Sequence, residues 1–146
     1  MIKNSLGKTW GTPYLYKEFT YSVVWKPNGV GSTLGAIQRL KCSRIDNVVT
    51  LFLEGDPSTA VAAGTTTNMT LVTPSGGAFT LDPLLIYNST LGHIYVPTYA
   101  YIGGYNLCPV DIQNNGGILI YKDFSGTSFT GSCGTYSMTV SYVAGN

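Results

Sequence analysis

Thr135-Tyr136-Ser137-Met138-Thr139-Val140-Ser141-Tyr142 decides the fold, because small hydroxyl residues alternate with large apolar ones along its whole length. Tyr136, Met138, Val140 and Tyr142 share one face, and Thr135, Ser137, Thr139 and Ser141 share the other. A period of two is the signature of a β-strand with one side in a core and one toward water. Working outward, Phe19–Trp25 repeats the pattern. Phe19, Tyr21, Val23 and Trp25 point one way, with Glu18, Thr20 and Ser22 opposite. The segment Val48–Glu54 is apolar on both sides, Val49, Leu51 and Leu53 against Val48 and Phe52. It is expected inside a sandwich or beneath a neighbouring subunit.

Turn residues separate these runs. Asp46-Asn47 reads as a tight hairpin between Leu40–Ile45 and Val48–Glu54. Asn114-Asn115-Gly116-Gly117 joins Pro109–Gln113 to Ile118–Lys122, with residues that tolerate positive φ in the turn. Pro27-Asn28-Gly29, Pro74-Ser75-Gly76-Gly77, Ser125-Gly126 and Gly131–Gly134 are further breaks. Thr33–Leu40 is the best helix candidate, weakened by Gly35. Gly55–Thr67 and Tyr95–Leu107 read as the two longest irregular stretches. About eight short strands with short turns predict an all-β, antiparallel, jelly-roll-like β-sandwich. Its expected extent is one domain over residues 1–146, with 1–17 as a candidate N-terminal extension.

The chain has 146 residues, of which only 10% are charged, and a net charge of +1. No basic field exists to hold a phosphate backbone, which argues against nucleic acid as a partner. Hydrophobic residues make up 44%, which argues against disorder. No apolar run approaches the ~20 residues of a membrane span. Met1 is followed by Ile2, Lys3 and Asn4 rather than an apolar segment, so no signal peptide is expected. A surface this poor in charge has little repulsion to keep copies apart. It is expected to be covered in part by other copies of the chain, the alternative being a neutral surface solvated by hydroxyls.

Cys42, Cys108 and Cys133 form no CxxC or Cys/His metal spacing. They read as buried thiols in a chain assembled in a reducing cytoplasm, with pairing left open.

Several segments together resemble the small C-terminal head domains of viral fibres. CSRIDNVVTLFLEG (Cys42–Gly55) is similar to their "R-I-G-N-x-V-T-L" hairpin. PLLIYNS (Pro83–Ser89), VDIQNNGGILIYKD (Val110–Asp123) and FTGSCGTYSMTVSYV (Phe129–Val143) follow in the order those heads use. The resemblance runs from Leu40 to Val143. It implies a homotrimeric jelly roll of the tumour-necrosis-factor/C1q type, carried on a virion, with a receptor-binding or capping role. No coiled-coil heptads or collagen-like repeat precede the segment.

Catalytic chemistry finds little purchase. His93 is the only histidine, and a lone histidine in a strand-like segment reads as structural. Glu18, Asp46, Glu54, Asp56, Asp82, Asp111 and Asp123 are scattered, with no spacing that forces a glycosidase pair together. No GxSxG, P-loop or HExxH occurs. Glu54 and Asp56 flank Gly55 and read as solvated carboxylates rather than a calcium pair. No enzyme, metal or cofactor is expected.

The distinctive stretch is Tyr95-Val96-Pro97-Thr98-Tyr99-Ala100-Tyr101-Ile102-Gly103-Gly104-Tyr105-Asn106. Tyrosine offers a flat apolar ring and one hydroxyl, with little torsional freedom to lose on contact. Tyr95, Tyr99, Tyr101 and Tyr105 are therefore candidates to contact a host-surface glycan or protein, with Asn106 or Asp56 supplying hydrogen bonds. The alternative packs these rings in a trimer interface or the core. Trp25 reads as core, and Trp10 is free to pack on a neighbour. Two further readings stand beside attachment: a capsid-associated assembly or decoration protein that touches other virion proteins, and a small carbohydrate-binding module.

Overall fold

A computed structural model describes residues 15–28, 34–35, 37–54, 60–62, 66–86, 93–97, 99–102, 108–129 and 132–144, with backbone alone at 60–62, 93–97, 99–102 and 132–137. Among these residues there are ten strands and no α-helix. In chain order they are β1 (Tyr16–Pro27), β2 (Gln38–Ile45), β3 (Val48–Glu54), β4 (Ala60–Ala62), β5 (Asn68–Val72), β6 (His93–Pro97), β7 (Tyr99–Ile102), β8 (Pro109–Gln113), β9 (Ile118–Tyr121) and β10 (Ser132–Val143). A short 3-10 turn occupies Pro83–Leu85.

All pairings are antiparallel. One layer runs β1-β2-β3-β10-β7, and the other runs β1-β5-β9-β8-β6. β1 belongs to both: Tyr16–Val23 pair with β2, and Val24–Pro27 pair with β5. A strand that changes sheets buries consecutive residues at the corner, and Val23, Val24 and Trp25 are all buried. The opposite edge is joined in a similar way. β6 pairs with β8 in the second layer, and β7, one residue further on, pairs with β10 in the first. The sheet is thus an all-β, nearly closed sandwich. β1, β2 and β3 form a meander, and β5 returns beside β1, which is the Greek-key order.

The alternation seen in the sequence sets which side chains meet. Val49, Leu51 and Leu53 of β3, Leu40 and Cys42 of β2, and Met138, Val140 and Tyr142 of β10 face inward. Leu71, Val110, Ile112, Ile118, Ile120 and Phe129 meet them from the other layer and its approaches. Each large side chain so buried contributes about 1.5–3 kcal/mol. Tyr21 packs edge-on against Phe79, with ring centroids 5.1 Å apart.

Several expectations need correction. β3 does not lie inside the sandwich: Val48 and Phe52 stand on its outer face, exposed, because the meander puts only Val49, Leu51 and Leu53 toward the core. Gly55–Thr67 contains β4, whose Ala60-Val61-Ala62 pairs with Ser132–Gly134. Small residues carry no alternation, so that strand is silent in the sequence. Tyr95–Leu107 is not wholly irregular, since β6 and β7 occupy most of its first half. The even spacing of Tyr95, Tyr99 and Tyr101 is the period of a strand, and Pro97 disguises it. The helix candidate Thr33–Leu40 ends as strand, because Gln38–Leu40 begin β2. These additions bring the strand count from about eight to ten.

The two hairpin turns form where their residues predict them. Asp46 adopts φ 51° between β2 and β3. Its N–H donates to Leu15 O, and Ala144 N–H donates to Asn47 O, so both neighbouring strands are tied to this hairpin. Gly116 adopts φ +86°, and a Cβ there would stand 2.8 Å from the backbone nitrogen of Leu81. That close approach exists because Leu81 N–H donates to Gly116 O at 2.9 Å. Gly126 also has positive φ but faces open space. Gly116→Ala is therefore expected to cost about 2–4 kcal/mol, and Gly126→Ala only about 1 kcal/mol. Urea unfolding of both variants checks this, and equal losses would contradict the role given to the Leu81 contact.

Candidate functional site

The outer face of the β1-β2-β3-β10-β7 layer can be laid out row by row from its register. Directly paired antiparallel residues share a face. One row is Tyr16, Ile45, Val48 and Val143, each at least half exposed. It is apolar across four neighbouring strands, roughly 14 Å at the usual strand spacing. The next row is Glu18, Ser43, Thr50 and Ser141, where the Thr50 and Ser141 hydroxyls share a hydrogen bond at 3.1 Å. The third is Thr20, Lys41, Phe52 and Thr139, and the fourth is Ser22, Arg39, Glu54 and Ser137.

Charge on this face is largely cancelled locally. Lys41 Nζ donates to Glu54 Oε1 at 2.5 Å, and Arg39 stands 3.9 Å from the same carboxylate. The Lys41 hydrogen bond, aided by both positive charges, holds the Glu54 carboxyl below its ordinary range. Tyr16 donates its hydroxyl proton to Glu18, and that bond raises the Tyr16 pKa. What remains is a nearly neutral surface with an apolar row and Phe52.

The tyrosines named from the sequence divide between the two layers. Tyr99 and Tyr101 on β7 take the register positions opposite Thr139 and Ser137, so they extend the third and fourth rows. Tyr95 on β6 is opposite Asp111 in the other layer. Tyr105, Asn106 and Asp56 lie outside the described residues, as does Trp10. The apolar row escapes a reading of the sequence because its members come from four strand ends, where no local pattern joins them. Trp25 is core as expected.

A second place gathers ionisable groups at one end of the sandwich. The 3-10 turn is fastened there by three side chains. Arg44, buried, donates from Nε to Asp46 O and from its guanidinium to Leu84 O, both at 2.6 Å. The Tyr142 hydroxyl donates to Leu85 O, and Tyr21 Oη accepts from Asp82 N–H at 3.0 Å. Leu85 is fully buried beneath this fastening. Cys42 lies in the same core, and burial pushes its thiol up to about 12, so it is a protonated packing residue rather than a nucleophile at neutral pH. Cys42 and Cys108 are both buried, while the side chain of Cys133 lies outside the description.

Four of the described carboxylates serve the fold itself. Asp46 ties down the hairpin, Glu54 pairs with Lys41, Asp82 caps the 3-10 turn, and Asp123 orders the turn that follows β9. Asp111 is buried. Among the described residues, no group of three metal-ligating side chains converges. His93 lies on β6, opposite Gln113 in register.

No protein-family model matches this chain, and a search of curated proteins finds no match.

The Cys42 environment gives a pH dependence. In the unfolded chain its thiol ionises near pH 9, while in the folded chain it keeps its proton to about 12. The folded state binds more protons in that window, so stability is full below it and falls as pH rises through it. The urea midpoint is expected to drop between about pH 9 and pH 11, and Cys42→Ala to flatten that drop. Parallel curves for the two proteins would contradict the assignment.

Proposed function

We propose that this chain is the head of a viral fibre or spike, a non-enzymatic structural domain that assembles as a homotrimer and attaches the virion to a host surface. The observation that carries the reading is the exposed outer face of β1-β2-β3-β10-β7, whose charges largely cancel, with its apolar row Tyr16, Ile45, Val48 and Val143. Scattered apolar residues on a surface need no explanation, but a continuous apolar row favours burial against another protein. A second copy is the natural cover, since a low net charge leaves little repulsion between copies. The likeness of Cys42–Gly55 and Phe129–Val143 to fibre-head segments supports the same arrangement, because those segments form β3 and β10 at its centre.

In this reading the chain is made in the host cytoplasm and functions on the virion. Each head carries a weak contact for a surface glycan or protein. The segment bearing Tyr95, Tyr99, Tyr101, Tyr105 and Asn106 is one candidate for it, with Asp56 as a further hydrogen-bonding group. Three such contacts on one rigid body raise apparent affinity by roughly 10²–10⁴ without any tight single site. Neither a cofactor nor a metal enters the mechanism.

Two variants test this. Val48→Glu combined with Phe52→Glu places charge on the outer face and leaves the core intact. It is expected to convert trimers to single chains in light scattering, and to weaken virion-free binding to a panel of cells by roughly 10²–10⁴. Tyr99→Ala with Tyr101→Ala is expected to keep the trimer and lose cell binding. A trimer that keeps both size and cell binding without these rings would contradict attachment through β7. Binding lost only because the trimer collapses would instead make them interface residues.

A further inference from the structure

The turn after β9 carries an aromatic side chain that neither the core nor the assembly face uses. Phe124 is 70% exposed, the most exposed of the large apolar side chains described. It borders an open hollow of about 360 Å³ lined, among the described residues, by Pro109, Tyr121, Asp123, Phe124 and Gly126. That volume sits at the lower end of small-ligand sites.

The turn beneath the ring is fixed from within. Asp123 Oδ1 accepts from the N–H groups of Ser125 at 2.8 Å and Thr127 at 3.2 Å. Asp123 Oδ2 accepts from the Thr127 hydroxyl. Gly126, at φ +74°, supplies the backbone conformation that a side chain resists. A ring held on an ordered turn loses little freedom when something packs against it.

We propose that this hollow binds a neutral sugar ring, stacked on Phe124 and hydrogen-bonded through a hydroxyl to Asp123. The walls are carbon-rich, from a proline and two aromatic residues, which suits the C–H face of a pyranose. The carboxylate is the acceptor. Oδ2 takes one bond from Thr127 and keeps a lone pair for an incoming hydroxyl. The Thr127 hydroxyl, together with the backbone N–H groups and the charge of Lys122, holds the Asp123 carboxyl below its ordinary range, so it is ionised at neutral pH. The charge of Lys122 acts on the same carboxylate. The site is built on Pro109 of β8 and the turn after β9, in the second layer, whereas Tyr99 and Tyr101 pair within the first. Its biological role rests on the attachment reading, but its chemistry does not.

Saturation-transfer NMR on the full chain tests the site directly. The probes are the methyl glycosides of glucose, galactose and N-acetylglucosamine at millimolar concentration, with butylammonium as a cationic comparator. At least one glycoside is expected to receive saturation on its ring protons. Phe124→Ala should weaken that binding at least tenfold with the melting temperature unchanged, and Phe124→Trp should restore it. No transfer to any glycoside, transfer that survives Phe124→Ala, or transfer to butylammonium alone would overturn the proposal. A trimer that binds cells but no glycoside sinks this site and spares the attachment reading. A single chain that binds a glycoside through Phe124 does the reverse.

Discussion

Two features join the two layers: the change of partner at Val23–Val24 within β1, and the successive strands β6 and β7, which pair in different layers. At the first, one strand leaves the partner β2 for the partner β5. At the second, β6 pairs with β8 and the next strand, β7, with β10. The layers therefore share β1 at one side and are linked by successive strands at the other, and the inward side chains have nowhere to go but into one core. Trp25 sits at the first crossing, fully buried, next to the residues that make the change of sheet. The Greek-key return of β5 beside β1 follows from the same crossing, because β5 pairs with the half of β1 that has already changed layers.

This closure also decides what is left outside. With the core filled by alternate residues, the other half of each strand in the first layer must face outward. Most of those positions carry Ser, Thr or a locally neutralised charge, as a solvated face requires. The exceptions cluster. Tyr16, Ile45, Val48 and Val143 come from four different strands, yet the register sets them side by side. The end of the sandwich near Pro83–Leu85 is sealed in another way, by Arg44, Tyr21 and Tyr142 bonding to a short turn. The molecule thus closes its end with its own side chains and leaves its broad face open.

The sequence is most legible where alternation and turn chemistry agree. β1, β3, β8, β9 and β10 are readable from apolar periodicity, and the Asp46-Asn47 and Asn114–Gly117 turns from residues that accept positive φ. β4 is not, because Ala-Val-Ala has no contrast between its faces and depends on the edge of β10 for its hydrogen bonds. β6 and β7 are obscured by Pro97, which interrupts the even spacing of the tyrosines around it. Val48 and Phe52 invite a choice between two kinds of cover, since local sequence does not say on which side of β3 the core lies. The candidate site is less legible still. Tyr95 and Tyr99 are neighbours along the chain but belong to opposite layers. Phe124 looks like an ordinary turn residue, and only the Asp123 hydrogen bonds around it reveal a ring on an ordered platform.

The functional account turns on what covers the open face. A neutral surface crossed by an apolar row gains by meeting a copy of itself, and a trimer built that way would present several weak surface contacts at once. Sedimentation equilibrium of the unaltered chain at micromolar concentration is the most direct test. The account predicts a mass three times 15.6 kDa that persists on dilution. A species of 15.6 kDa at every concentration, fully folded, would contradict it.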